Sequence, residues 1–94
     1  MEKRLGVIAI LITDKTGVPK INSLLTEYSE IIYGRQGIPL RDKGINFISL
    51  IVDGNTDQIS ALTGKIGRIK GVEVKSILTK FKENKNEPKN QKQS

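Results

Sequence analysis

The sequence predicts an α+β fold of the ferredoxin-like type, βαββαβ, with a four-stranded antiparallel sheet in the order 4-1-3-2 and two helices on one face. Three observations carry this. Residues 5–13 and 45–52 are apolar at nearly every position and rich in β-branched side chains, as strands covered on both faces are. Residues 38–42 and 72–78 alternate apolar with polar or carry proline, as edge strands do. Two stripes of apolar residues at spacings of three and four lie between these strands in the chain and mark two amphipathic helices. Right-handed crossovers then place the first and third strands in the centre of the sheet and the second and fourth outside.

Taken in order, the first strand stops at an Asp14-Lys15-Thr16-Gly17 turn. Val18, Ile21, Leu24, Leu25, Tyr28, Ile31 and Ile32 form the stripe of a helix. Pro19 suits its first turn, where a missing N–H costs nothing. Gly34 and Gly37 are expected to end that helix, and residues 38–42 to form the second strand, kept at the sheet edge by Pro39. Lys43-Gly44 is a turn into the third strand. Asp53 to Thr56 reads as a loop, and Asn55 with Gln58 three residues later resembles a capping box. Ile59, Leu62, Ile66 and Ile69 form the second helical stripe, and Gly71 ends it. Gly64 and Gly67 on this helix each cost about 1 kcal/mol relative to alanine, so close packing or the approach of another backbone should offset them.

The 94 residues make one small domain, expected over residues 1–81, followed by a polar tail at 82–94 that has no apolar side chain to bury and is expected to be disordered. The net charge is +6; residues from Lys80 onward hold five Lys and two Glu, half of that excess. There is no Cys and no His, which removes disulfides, thiol chemistry, imidazole acid–base catalysis and nearly every transition-metal site. The acids are scattered singly, without calcium-loop spacing. No nucleophile–base pair can be drawn, so no catalytic residue, metal or cofactor is expected. The apolar run after Met1 is too short for a membrane span, which needs about twenty residues, and no cleavage pattern follows it. A cytoplasmic, non-enzymatic protein is expected.

Strand parity adds a functional expectation. If Ile8, Ile10, Ile12, Ile48, Leu50 and Val52 face the helices, then Leu5, Val7, Ala9, Leu11, Ile45, Phe47 and Ile51 face the other way. An exposed apolar patch of that size normally marks an interface. A homo-oligomer, dimer or tetramer, is expected, either packed sheet to sheet with Leu5, Val7, Leu11, Ile45, Phe47 and Ile51 in its interface or joined by an edge strand that extends the sheet across a dimer.

Asp14-x-x-Gly17-Val18-x-x-Ile21-x-x-Leu24 after an apolar strand resembles the opening of an ACT domain, a ligand-sensing regulatory module. Residues 34–41, 45–52 and 62–75, with Gly-Arg-Gln-Gly-Ile-Pro-Leu-Arg and Gly-Lys-Ile-Gly-Arg-Ile-Lys-Gly-Val-Glu-Val-Lys as their most particular segments, are similar to the small stand-alone iron-only hydrogenase system regulators. These are related in fold to the C-terminal domain of a nickel-responsive repressor. The resemblance spans roughly residues 3–79 and implies an ACT-like fold, oligomer formation and a regulatory role. Nickel sensing does not carry over, because that repressor's metal site depends on His and Cys.

The resemblance also implies an amino-acid effector site at Asp14, Lys15, Thr16, Gly17 and Val18. Asp14 would meet an ammonium group, and the N–H groups of Thr16, Gly17 and Val18 a carboxylate. The residues alone allow a second reading, in which Asp14 or Thr16 simply caps the helix. Arg35 and Arg41, flanking Gly37 and Pro39, either grip an anion or are solvated charges on an edge strand. Lys65, Arg68, Lys70 and Lys75, with the lysine tail, make a basic surface. With only two Phe and two Tyr, base stacking has little to build on. No DNA-binding segment is recognised, so nucleic acid is expected at most through a partner or the basic tail. The alternative to a metabolite sensor is a protein–protein assembly module without a small ligand.

Overall fold

The structure is a computed structural model that describes residues 2–83. Six main elements follow in order: β1 (Lys3–Ile12), α1 (Val18–Glu27), β2 (Ile32–Leu40), β3 (Ile45–Gly54), α2 (Thr56–Gly67) and β4 (Val72–Glu83). Short 3-10 turns at Lys15–Gly17 and Ser29–Ile31 lead into and out of α1. The sheet order is β2-β3-β1-β4 with every neighbouring pair antiparallel, which is the expected 4-1-3-2 arrangement read from the opposite edge.

The pleat of the two central strands sets the core. β1 and β3 pair without interruption from Arg4↔Gly54 to Ile12↔Asn46, so alternate residues of both strands share a face. Ile8, Ile10, Ile12, Ile48, Leu50 and Val52 are buried there against Ile21 and Leu25 of α1 and Ile59, Leu62 and Ile66 of α2. Each such side chain contributes roughly 1.5–3 kcal/mol on removal from water. Eight of the twelve buried apolar residues described are isoleucines, whose branched Cβ restricts χ1 and suits a strand-facing core. No charged or polar side chain is buried among the described residues.

Helix α2 begins as its sequence indicates. Asn55 Oδ1 accepts from the Gln58 N–H at 2.8 Å, and Gln58 Oε1 accepts from the Asn55 N–H at 3.0 Å, a complete capping box. Gly54 and Asp53, expected in a loop, instead extend β3.

Helix α1 is shorter than its stripe suggests. It ends at Glu27, and Gly34 and Gly37 lie inside β2 rather than at a helix end. Tyr28 leaves helical geometry, the Ser29–Ile31 turn follows, and Ile31 enters the core from that turn. Ile32 then pairs with Val52, because β3 offers partners along nearly its whole length and a strand of five residues would leave them empty. Tyr33 sits at a register shift between Ile32 and Gly34 and is 79% exposed.

Strand β4 is longer than its alternation suggests. The ladder shifts register between Arg4 and Gly6, and Thr79 holds the irregularity: its hydroxyl donates to the Leu5 carbonyl at 2.8 Å, and its own carbonyl accepts from Arg4 Nη2 at 2.8 Å. Pairing then resumes to Lys3↔Glu83, so the first two residues of the expected tail continue the strand. The rest of that tail lies outside the described residues.

Candidate functional site

The corner between β1 and α1 is a closed, internally bonded turn. Asp14 Oδ1 accepts from the Thr16 N–H at 3.0 Å and from the Thr16 hydroxyl at 2.8 Å. The Gly17 N–H donates to the Asp14 carbonyl at 3.2 Å, and the Val18 N–H donates to the Lys15 carbonyl. All three amides expected to receive a carboxylate are therefore taken within the turn itself. The two bonds from Thr16, reinforced by the nearby Lys70 charge, hold the Asp14 carboxyl below the usual aspartate range. Asp14 is ionised at neutral pH, and its Oδ2 takes part in neither bond from Thr16.

The glycines of this corner have a packing reason. A Cβ at Gly17 would stand 2.6 Å from Ile69 Cγ2, so the turn lies directly on the α2–β4 connection. That connection passes through Gly71, whose φ of +77° is left-handed and whose Cβ would collide with the Asp14 side chain. The Thr13 N–H and hydroxyl both donate to the Gly71 carbonyl, at 2.8 and 3.1 Å. The Asp14–Val18 segment is thus fastened to the start of β4 by steric fit and two bonds.

Arg35 and Arg41 do not converge. Arg35 pairs in register with Leu50, on the helix side of the sheet, and its Nη2 donates to Asn22 Oδ1 of α1 at 3.4 Å. Arg41 lies in the turn beyond the Leu40↔Ile45 pair, about 20 Å along the strand direction at roughly 3.3 Å per residue. There it lines a small recess with Lys15, Pro39 and Asn46. The basic surface divides as well: Lys75 pairs with Ala9 and so belongs to the open face of the sheet, opposite Lys65, Arg68 and Lys70.

Those last three line an open groove between the two helices. The crossover topology runs α1 and α2 antiparallel, which sets the start of α1 beside the end of α2. Pro19, Lys20, Ser23 and Leu24 form one wall, and Lys65, Arg68, Ile69 and Lys70 the other, around a volume of about 650 Å³. The Lys65 ammonium stands 5.1 Å from the centre of the Tyr28 ring and 3.7 Å from a Glu27 carboxylate oxygen. Contact with Tyr28 first, and the Glu27 charge second, hold it above the usual lysine range. The sequence groups Lys65, Arg68 and Lys70 with Lys75 and misses Lys20; the antiparallel helix pair is the signal that places Lys20 with the first three.

The other face of the sheet carries no helix. Leu5, Val7, Ala9 and Leu11 of β1 alternate with Ile45, Phe47 and Ile51 of β3, and the register adds Ile38 and Leu40 from β2 and Ile77 from β4. Ile51 is 44%, Ile38 46% and Ile77 67% exposed. Polar residues on this face lie mainly toward the strand ends and on the edge strands, with Gln36 on β2 and Glu73 and Lys75 on β4, while Ser49 is the polar residue near its middle.

No three His, Cys, Asp or Glu side chains gather as a metal group among the described residues, and no described helix is long and apolar enough to cross a membrane.

Comparison with known proteins fits this geometry. The uncharacterized protein TM1266 from Thermotoga maritima superposes with a TM-score of 0.79 at 35% identity, over 83% of this chain and 99% of that one. The ACT domain from GTP pyrophosphokinase of Chlorobium tepidum gives 0.68 at 24% identity, over 80% of this chain and 99% of that one, a likeness of fold. An unknown protein from Galdieria sulphuraria gives 0.57 at 17% identity, over 84% of this chain and 46% of that one. Among curated proteins no sequence matches. Residues 4–76 match the pattern of the TM1266-like family, described as "Iron-only hydrogenase system regulator, putative". That match spans β1 through the first part of β4 and so takes in every element of the fold: the chain belongs to the TM1266-like family and has an ACT-like fold.

Proposed function

We propose that the protein is a non-enzymatic regulatory module that works as an assembly of identical subunits joined through the open face of the sheet. On the family's description, the process it serves is an iron-only hydrogenase system. The observation that carries this reading is the uncovered face itself. Its centre is built from Val7, Leu11, Phe47 and Ile51, and its charges stand at the margin, Glu73 and Lys75 on an edge strand and Asp53 at the end of β3. An apolar centre with charge displaced to the margin is the anatomy of a subunit interface. A dimer or tetramer of the 10.4 kDa chain follows from the same reading, and a cytoplasmic location is proposed alongside it.

Between an effector sensor and an assembly module without a small ligand, the closed turn favours the second. The Thr16, Gly17 and Val18 amides already have acceptors, and Gly17 and Gly71 are explained by contact with neighbouring chain. A ligand at this corner has the free Asp14 oxygen and the Lys15 side chain to meet. DNA contact, if the module controls transcription, runs through a partner or the basic tail.

Light scattering on the full chain tests the assembly. The wild type should have a mass of at least two chains at micromolar concentration. Val7→Lys combined with Ile51→Lys should give one chain with an unchanged circular dichroism spectrum. A wild-type mass of one chain overturns the reading. A thermal-shift series with the twenty amino acids separates the two kinds of module: a melting temperature raised by one of them, and no longer raised in Asp14→Asn, restores the sensor.

A further inference from the structure

The groove between the helices lies on the side of the sheet away from the proposed assembly face, so both surfaces are available together. Its floor is apolar, with Leu24 and Ile69 half-buried, and its rim is cationic without an acidic residue in the lining. Lys65 is fixed by Tyr28 and Glu27, whereas Lys20 and Arg68 carry no ion pair among the described residues.

Gly64 supplies an independent observation. It lies within α2, where glycine costs about 1 kcal/mol relative to alanine. A Cβ there would meet nothing within 4 Å, whereas one at Gly67 would stand 3.2 Å from Val74 Cγ1. Close packing within the chain therefore explains Gly67 and leaves Gly64 unexplained. Gly64 is exposed and sits one turn before Arg68, just outside the groove's lining, where a bare backbone lets a chain lying across α2 come near.

We infer that this groove docks an acidic amphipathic helix of a partner protein, with its apolar stripe on Leu24 and Ile69, its carboxylates on Lys20 and Arg68, and its backbone close to Gly64. Three features select this occupant. The groove is largely open to solvent, unlike the enclosed clefts that small-molecule sites use. A nucleic-acid backbone has no use for an aliphatic floor, no aromatic residue lines the groove among the described residues, and the Tyr28 ring lies under Lys65. An apolar trough flanked by cations matches the helix-in-groove mode of recognition with complementary charge.

The test uses the full-length chain and a fluorescein-labelled synthetic helix with a leucine stripe flanked by glutamates. The controls are a scrambled peptide of the same composition and a labelled DNA duplex, all measured by anisotropy at the same salt concentration. The helix should bind at least tenfold more tightly than either control. Lys20→Glu with Arg68→Glu should weaken it at least tenfold while the tail lysines remain in place. Gly64→Ala should raise the melting temperature yet weaken peptide binding several-fold, a pairing that simple loss of structure does not produce. Absence of helix binding, equal binding of the scrambled peptide, tighter binding of DNA, or indifference to Lys20→Glu and Arg68→Glu each overturns the inference.

Discussion

Gly17, Gly64 and Gly71 look alike in the sequence and differ in what surrounds them. Gly71 combines a left-handed φ with contact to Asp14, and Gly17 lies on Ile69, so alanine at either forces the β1–α1 corner away from the α2–β4 connection. Each substitution should destabilise by about 1–3 kcal/mol, read as a lower urea midpoint with an unchanged slope. Gly64→Ala should do the reverse and stabilise by up to about 1 kcal/mol, because the methyl group enters open space on a helix. Asp14 offers a separate check through pH. Its carboxyl titrates lower in the folded chain than in the unfolded one, chiefly because of the two bonds from Thr16. A lowered folded value contributes stability that is present above the ordinary aspartate range and lost as pH falls through the folded value. Wild type should therefore melt above Asp14→Asn at neutral pH, and the gap should close on strong acidification. A constant gap across that range would mean that Asp14 acts through shape alone.

At the scale of elements, what the sequence makes legible is what local chemistry decides. The parity of β1 and β3, the N-terminus of α2 and the turn at Lys43-Gly44 all follow from side chains that act on their immediate neighbours. Where distant partners decide, the sequence misleads. Tyr28, Ile31 and Ile32 keep helical spacing, yet Val52 claims Ile32 for the sheet and Gly54 lies against Ile31. The end of β4 reads as a charged tail because the device that extends it, Thr79 joined to Leu5 and Arg4, spans the two ends of the domain. The candidate sites divide in the same way. The cap at Asp14 is local and is one of the two readings its residues allow, whereas the groove exists only because antiparallel helices bring Lys20 beside Arg68. The local device at Asn55 is directly testable. Asn55→Ala and Gln58→Ala should each cost about 1 kcal/mol, or about 4–8 °C for a domain of this size. Because the two bonds are reciprocal, the double variant should cost less than the sum, and strict additivity in a double-mutant cycle would argue against a coupled box.

For the whole molecule, the question is how a chain of 94 residues with a one-sided core stays folded. Both helices cover the same side of the sheet, so the outward side chains of β1 and β3 are only half-buried in a single subunit, and Ile51 stays exposed. A small domain buries a low fraction of its surface and is correspondingly marginal. Association through the open face would bury Val7, Phe47 and Ile51 and couple folding to assembly, which makes thermal stability depend on concentration. For a dimer that dissociates as it unfolds, a tenfold rise in concentration adds about 1.4 kcal/mol per dimer. With roughly 2.1 cal/mol/K of unfolding entropy per residue in each subunit, the melting temperature should then rise by about 4 °C. Val7→Lys with Ile51→Lys should melt lower than wild type and at the same temperature at every concentration, because its unfolding no longer includes a dissociation step. A wild-type melting temperature that is likewise independent of concentration would mean that the sheet face contributes nothing to stability through a partner, and that the twelve buried apolar side chains described in one subunit hold the fold by themselves.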